Sequence, residues 1–339
     1  LNTVDLIEKQ SLDMTHSTSI ITRAIFSLII LCIACGKSND KSPHHSDQTG
    51  FLYYSAADDL IRFDFSTRRE ISIFSEGNNY RIALDGQQFV WYKNDPWQKT
   101  THIQVHRTQA PDDYFTITLP YLLESTPSFA PNEELLAALT ASTDDPITRK
   151  DLLLFNYQGE NIGRIPHVKD FAFAPNGKDL VIAAEAINGT NRGYALAVIK
   201  DYRSASSQQS ITIHEFADYN LLPTDLAVAP NSSALAFTHS DHLYTVDLVA
   251  GATLKQITQS RFKEVDVNWS PNGEYLIFVA NVTDNLGCGE IRIIPSSPKE
   301  IIVVPDDGVD NAPADPLQPI DQNGKVIHSC GSENIFWHE

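Results

Sequence analysis

The chain has 339 residues, 42% of them hydrophobic, with 25 Lys and Arg against 43 Asp and Glu and a formal charge of −18. This length and apolar content support a sizeable packed core. The acidic balance opposes nucleic-acid or anionic-lipid binding, which needs patches of Lys and Arg, so neither partner is expected.

The only methionine is Met14, followed by Arg23 and an apolar run from Ala24 to Ala34 that ends at Cys35. A charged start and about 11 apolar residues are too short for a spanning helix and have the layout of a cleaved export signal. The segment resembles a bacterial lipoprotein signal peptide, with Cys32-Ile33-Ala34-Cys35 as the lipobox, although Cys32 stands where that family has Leu. The resemblance implies a signal over residues 1–34, of which 1–13 are an over-extended or non-Met start, and lipidation at Cys35. Several acyl chains, at about 0.8 kcal/mol per buried CH₂, hold a protein stably on a membrane. The same residues also allow a plain secretory signal cut elsewhere, or a short anchor left in place.

Residues 35–50 are polar and turn-forming and read as a flexible tether. Gly36, not Asp, follows Cys35, and the lipoprotein sorting pattern then implies the outer membrane, facing the periplasm. His44 and His45 lack a third ligand, so no metal is assigned to them.

From residue 51 a short phrase governs the chain. It occurs as LDGQQFVWYK from Leu84, FAPNEELLAALT from Phe129, FAPNGKDLVIAA from Phe173, VAPNSSALAFTH from Val228 and WSPNGEYLIFVA from Trp269. Each copy is a strand end, a tight turn and a second apolar strand, the mark of a repeated supersecondary unit. In Ser270-Pro271-Asn272-Gly273 the proline presets φ, Asn tolerates the bridge or left-handed region, and Gly closes the turn without a Cβ clash. Pro131-Asn132, Pro175-Asn176 and Pro230-Asn231 repeat the scheme, Asp85-Gly86 keeps its Asx-Gly core, and Glu133 and Ser232 replace the turn Gly in two copies. After the last turn, Leu276, Phe278 and Ala280 define one face and Ile277 and Val279 the other, as in a strand buried on both sides.

Turn-to-turn intervals of 47, 44, 55 and 41 residues suit four-stranded propeller blades. The remaining strands are also legible: Leu60 to Phe65 with Glu70 to Phe74, Asp151 to Asn156 with Asn161 to Ile165, and His242 to Leu248 with Thr253 to Ile257. The pattern LYTVDLVAG…LKQIT…VNWSPNGEYLIFVAN resembles the TolB-type (WD40-like) β-propeller repeat, with Asn where that family usually has Asp. The resemblance covers about residues 51–339, does not include the α/β domain that precedes the propeller in TolB proteins, and implies a protein or peptide partner.

The end of the chain, Glu333 to His338, resembles a strand before a turn, and Phe51 to Ser55 resembles a strand after one. Together they complete one blade. The expected fold is thus all-β, a six-bladed β-propeller of four-stranded blades whose closing blade is shared between N- and C-terminal strands, with no long open edge.

Cys288 and Cys330 both fall in the last blade, and a pair in an oxidising compartment reads as a disulfide, worth roughly 3–4 kcal/mol. Two buried free thiols are the alternative. Within the irregular segment Pro305 to Gln322, the acidic run Pro305 to Pro316 has carboxylates of the kind that coordinate Ca²⁺ but lacks the spacing of an EF-hand, so a solvated loop is the simpler reading. The polar insertion from Lys200 to Gln209 reads as a surface loop.

No nucleophile elbow, zinc-protease, P-loop or dinucleotide motif occurs, so no enzyme activity, catalytic residue or cofactor is expected. His102, His106, His167, His214, His239, His242 and His328 are scattered over different blades. The leading expectation is a monomeric, membrane-anchored periplasmic lipoprotein whose propeller binds an envelope protein or peptide. The alternative is a periplasmic glycan-binding or glycan-processing propeller, which would gather His and carboxylates at one point of the channel.

Overall fold

A computed structural model describes residues 48–75, 80–131, 134–141, 150–188, 191–203, 209–218, 221–280, 289–304, 315–317, 319, 323–325 and 333–339. All its regular elements are strands, which form six four-stranded antiparallel sheets in a ring and one short two-stranded ribbon. From the inner strand outward, blade 1 comprises Glu333–His338, Phe51–Ala56, Asp59–Asp64 and Arg69–Phe74. Blade 2 comprises Arg81–Ile82, Gln88–Asp95, Thr100–Arg107 and Ala110–Leu119, and blade 3 comprises Ser128–Phe129, Leu135–Ala141, Lys150–Asn156 and Asn161–Ile165. Blade 4 comprises Val168–Phe173, Leu180–Asn188, Asn191–Lys200 and Gln209–Phe216, and blade 5 comprises Thr224–Val228, Ala234–His239, His242–Asp247 and Lys255–Gln256. Blade 6 comprises Glu264–Trp269, Tyr275–Ala280, Glu290–Pro295 and Asp315–Pro316. The ribbon pairs Thr258–Gln259, leaving blade 5, in parallel with Ile302–Val303 of the blade 6 excursion.

The closing blade forms as expected. Phe51, Leu52 and Tyr53 pair with His338, Trp337 and Phe336. Trp337 Nε1 donates to the Thr49 carbonyl at 3.0 Å, Phe65 N to the Gly50 carbonyl at 3.2 Å, and Gln48 is buried. The packed ring thus includes residues 48–50.

Six apolar clusters lie one at each blade junction, which requires a closed ring, since an open row of six blades has five junctions. The alternation in Tyr275–Ala280 explains how each blade serves two of them. Leu276, Phe278 and Ala280 enter the cluster with blade 5, while Ile277 and Val279 enter the one with blade 1. Both faces being buried, the strand must be apolar throughout.

The repeated turns share one hydrogen-bond scheme. Gly86, Gly177, Ser232 and Gly273 donate their amides to the carbonyls of Ala83, Ala174, Ala229 and Ser270 at 2.7–3.0 Å. These four donors hold φ between +59° and +74°, the left-handed region that glycine favours. Asp85, Asn176, Asn231 and Asn272 instead serve as acceptors: each Oδ1 takes the amide two residues on, at 2.9–3.0 Å. The Asn residues do not take the left-handed conformation; that burden falls on the following Gly or Ser232. Pro131 sits in the corresponding turn of blade 3, and Asn132 lies outside the described residues.

Candidate binding site at the inner wall

The inner strands of neighbouring blades lie against one another and form the wall around the ring axis. Four of these strands carry a one-residue bulge. The register slips between Val168 and Asp170, between Thr224 and Ala227, between Val265 and Asn268, and on blade 1 opposite Tyr53 and Ser55. A bulge bends its strand and re-aims the side chains around it. In blades 5, 6 and 1 the bulge places Asp225, Asp266 and Asn334 at φ of +56°, +54° and +61°, a conformation Asp and Asn tolerate better than other side chains. With Asp170 these residues occupy one repeat position, four residues before the first turn residue, Ala174, Ala229 or Ser270, of blades 4, 5 and 6.

The bulged strands bring the Asp170 and Asp225 carboxylates of neighbouring blades near one another, with Arg81 of blade 2 within range of Asp170. Asp170 Oδ2 accepts the Leu226 amide of blade 5 at 3.2 Å, and its Oδ1 accepts the Phe171 amide at 2.7 Å. Burial, joined by repulsion from Asp225, pushes the Asp170 carboxyl up to about 6, while those two amides and the charge of Arg81 oppose the rise. Arg81 belongs to the inner strand of blade 2, so its field reaches Asp170 past the intervening blade. On blade 6, Asn268 Nδ2 donates to the Ile335 carbonyl of blade 1 at 2.9 Å. Side chains of the inner strands thus stitch neighbouring blades as well as charging the wall.

An ion pair and a buried carboxyl add three further ionisable groups on or beside these strands. Lys169 Nζ lies 2.9 Å from Glu185 Oε1, with side chains 11% and 3% exposed. Glu264, fully buried at the start of the blade 6 inner strand, accepts from the Thr258 hydroxyl and, at 3.2 Å, from the Leu243 amide of blade 5. Burial raises its carboxyl above the ordinary range, against Thr258, Ser260, His242 and Leu243.

Of the turn residues singled out from the sequence, Asp85, Asn176, Asn231 and Asn272 accept backbone amides, and Gly86 and Gly273 donate theirs to backbone carbonyls. Among the described histidines, His102, His106 and His167 lie apart, whereas His214 and His239 both contact the Phe216 ring and His239 pairs with His242. His106 is buried and locked: Trp91 Nε1 donates to its Nε2 at 3.1 Å, so its Nδ1 donates to the Pro111 carbonyl at 2.6 Å. His102 meets Thr118 Oγ1, and the amide of His167 donates to Asp151 Oδ1. His239 and His242 pair across a two-residue turn in which Ser240 and Asp241 both have positive φ, the I′ hairpin geometry. His214 lies on the outer strand of blade 4 with its ring against Phe216. Among the described residues no group of three or more His, Cys, Asp or Glu is arranged to hold a metal ion. Cys35, Cys288, Cys330, His44, His45, His328 and residues 305–314 lie outside the described residues.

Sequence reasoning missed the wall carboxylates. The signal was present as an Asx residue at one fixed place in successive repeats, Asp170, Asp225, Asp266 and Asn334.

No family model matches the sequence, and no curated protein matches it. Among solved structures, a putative TolB from Agrobacterium tumefaciens is similar at 11% identity and a TM-score of 0.54, over 84% of this chain and 93% of that one. TolB from Acinetobacter baumannii is similar at 12% identity and a TM-score of 0.48, over 79% and 68%. Hydrazine synthase of Kuenenia stuttgartiensis is similar at 13% identity and a TM-score of 0.49, over 73% and 81%. At such identity only the first match carries weight, and it bears on fold alone. The chain is a six-bladed β-propeller, closed by its own two ends and similar in fold to a TolB protein.

Proposed function

We propose that this chain is a monomeric, lipid-anchored propeller of the bacterial cell envelope, facing the periplasm, whose inner wall binds a basic segment of a protein or peptide. The observation that carries the binding role is geometric: one Asx position, Asp170, Asp225 and Asp266, recurs on the inner strands of blades 4, 5 and 6, with Asp225 close enough to repel the Asp170 carboxyl. Two carboxylates held close repel each other, and an incoming Lys or Arg relieves that repulsion. Rigid strands hold these groups, so little ordering is needed on binding.

Anchoring rests on Arg23, the apolar run from Ala24 to Ala34 and Cys35, and outer-membrane sorting rests on Gly36. In that oxidising compartment Cys288 and Cys330 form a disulfide. Non-reducing peptide mapping should recover the two joined; free thiols at both positions contradict the bridge.

Binding is tested on the mature chain by following the Asp170 carboxyl by NMR with added hexa-lysine peptide. A fall in its titration midpoint supports the wall as the binding surface. An unchanged midpoint at the highest peptide concentration contradicts it.

A further inference from the structure

The turns of neighbouring blades abut at several junctions. Asn176 N donates to Ser232 Oγ between blades 4 and 5, a Cβ on Gly273 would stand 3.7 Å from Pro230 between blades 5 and 6, and one on Gly86 would meet the His338 ring at 2.4 Å between blades 1 and 2. Between blades 2 and 3, residues 83–85 and Gln88 on one side and residues 129–131 with Glu134 on the other line an open cleft of about 480 Å³. Leu84 and Phe129 supply apolar wall, Asp85 and Glu134 supply carboxylates, and Tyr157 and Gln88 also line it.

The geometry points to this cleft as a docking site for a single arginine or lysine side chain of a partner protein. Its apolar and aromatic walls suit the aliphatic stem of such a side chain, and its two carboxylates suit the cationic head. Asp85 Oδ1 is engaged by the Gln87 amide at 2.9 Å, which fixes that carboxylate's orientation. Tyr157 is fixed likewise, by its hydroxyl donating to Gln88 Oε1 at 3.1 Å and by its ring 5.2 Å from that of Phe115. The phenol reports the local field: burial, Glu134 and Asp85 together push it up to about 12. Glu134 also borders the adjoining hollow lined by Leu135, Ile162 and Arg203. The cleft lies at the turns and stands as a site whether or not the inner wall binds.

The test uses the mature chain and two probes, N-acetyl-arginine methylamide and its uncharged citrulline counterpart. Tyr157 ring resonances, assigned with Tyr157→Phe, report occupancy. The double variant Asp85→Asn, Glu134→Gln keeps the fold, because Asn already fills the Asp85 position in the turns at Asn176, Asn231 and Asn272. The expected result is a saturable shift with the arginine probe, weakened about fivefold or more both by the citrulline replacement and by the double variant. Absence of a saturable shift, equal binding of the two probes, or unchanged binding by the double variant would overturn the assignment.

Discussion

The Trp337 indole stacks on the Phe65 ring, centroids 4.5 Å apart and planes 25° from parallel. Trp337 comes from the last strand of the chain and Phe65 from the turn after the third strand of blade 1, so the pair fastens the C-terminus into a blade begun at residue 51. Trp337 is 5% exposed. Trp337→Ala should therefore lower unfolding stability by about 3–5 kcal/mol, read as a shifted urea midpoint. A loss below about 1 kcal/mol would mean that the ring does not depend on this closure.

Two turn glycines separate backbone strain from packing. Gly273 has φ +74° with nothing nearer than 3.7 Å to an added Cβ, so Gly273→Ala should cost only the left-handed backbone penalty, about 1–2 kcal/mol. Gly86 has a similar φ of +67°, but its Cβ would also strike His338 in the closing strand. Gly86→Ala should cost at least about 1 kcal/mol more. Equal losses in thermal melts would show that the closing strand yields freely there.

Asp170 makes a pH prediction. In the ring its carboxyl keeps a proton up to about 6, whereas an unfolded aspartate releases it near pH 4. Between those values the native state binds more protons than the unfolded state, so this group's contribution to stability falls as pH rises through the window and is level above it. The full shift corresponds to about 3 kcal/mol. Asp225→Asn removes the repelling charge while tolerating the φ of +56°, so it should lower the Asp170 midpoint and flatten the slope. A midpoint unchanged by carbon-13 NMR would disprove the coupling.

Lipid anchoring gives the fourth prediction. Under the proposed anchoring at Cys35, Cys35→Ala should abolish incorporation of labelled fatty acid and move the chain from the membrane to the soluble fraction. Continued labelling of the variant would refute the assignment to Cys35.

The architecture was legible because its punctuation is chemical. An Asx side chain that accepts an amide and a residue that holds positive φ occur at the inner hairpins of blades 2, 4, 5 and 6, and both leave a sequence trace at Asp85-Gly86, Asn176-Gly177 and Asn272-Gly273. The role of Asn was only half legible, since composition cannot tell an acceptor from a left-handed residue. The wall carboxylates were not recognised because Asp225 and Asp266 interrupt apolar strands and resemble ordinary exposed positions until the bulge turns them. Glu264 was missed for a similar reason: its donors Thr258 and Leu243 come from other strands. The cleft at Tyr157 depends on two turns 47 residues apart, a relationship set by blade packing rather than by any local motif.

The central claim is that the inner wall binds a protein segment in the envelope. A photo-reactive amino acid placed at Asp266, on the wall, should cross-link in living cells to a defined envelope protein identified by mass spectrometry. The same group at Ile71, 50% exposed on the outer strand of blade 1, should not. Cross-links of equal yield and identity from both positions, or none from the wall, would contradict the account.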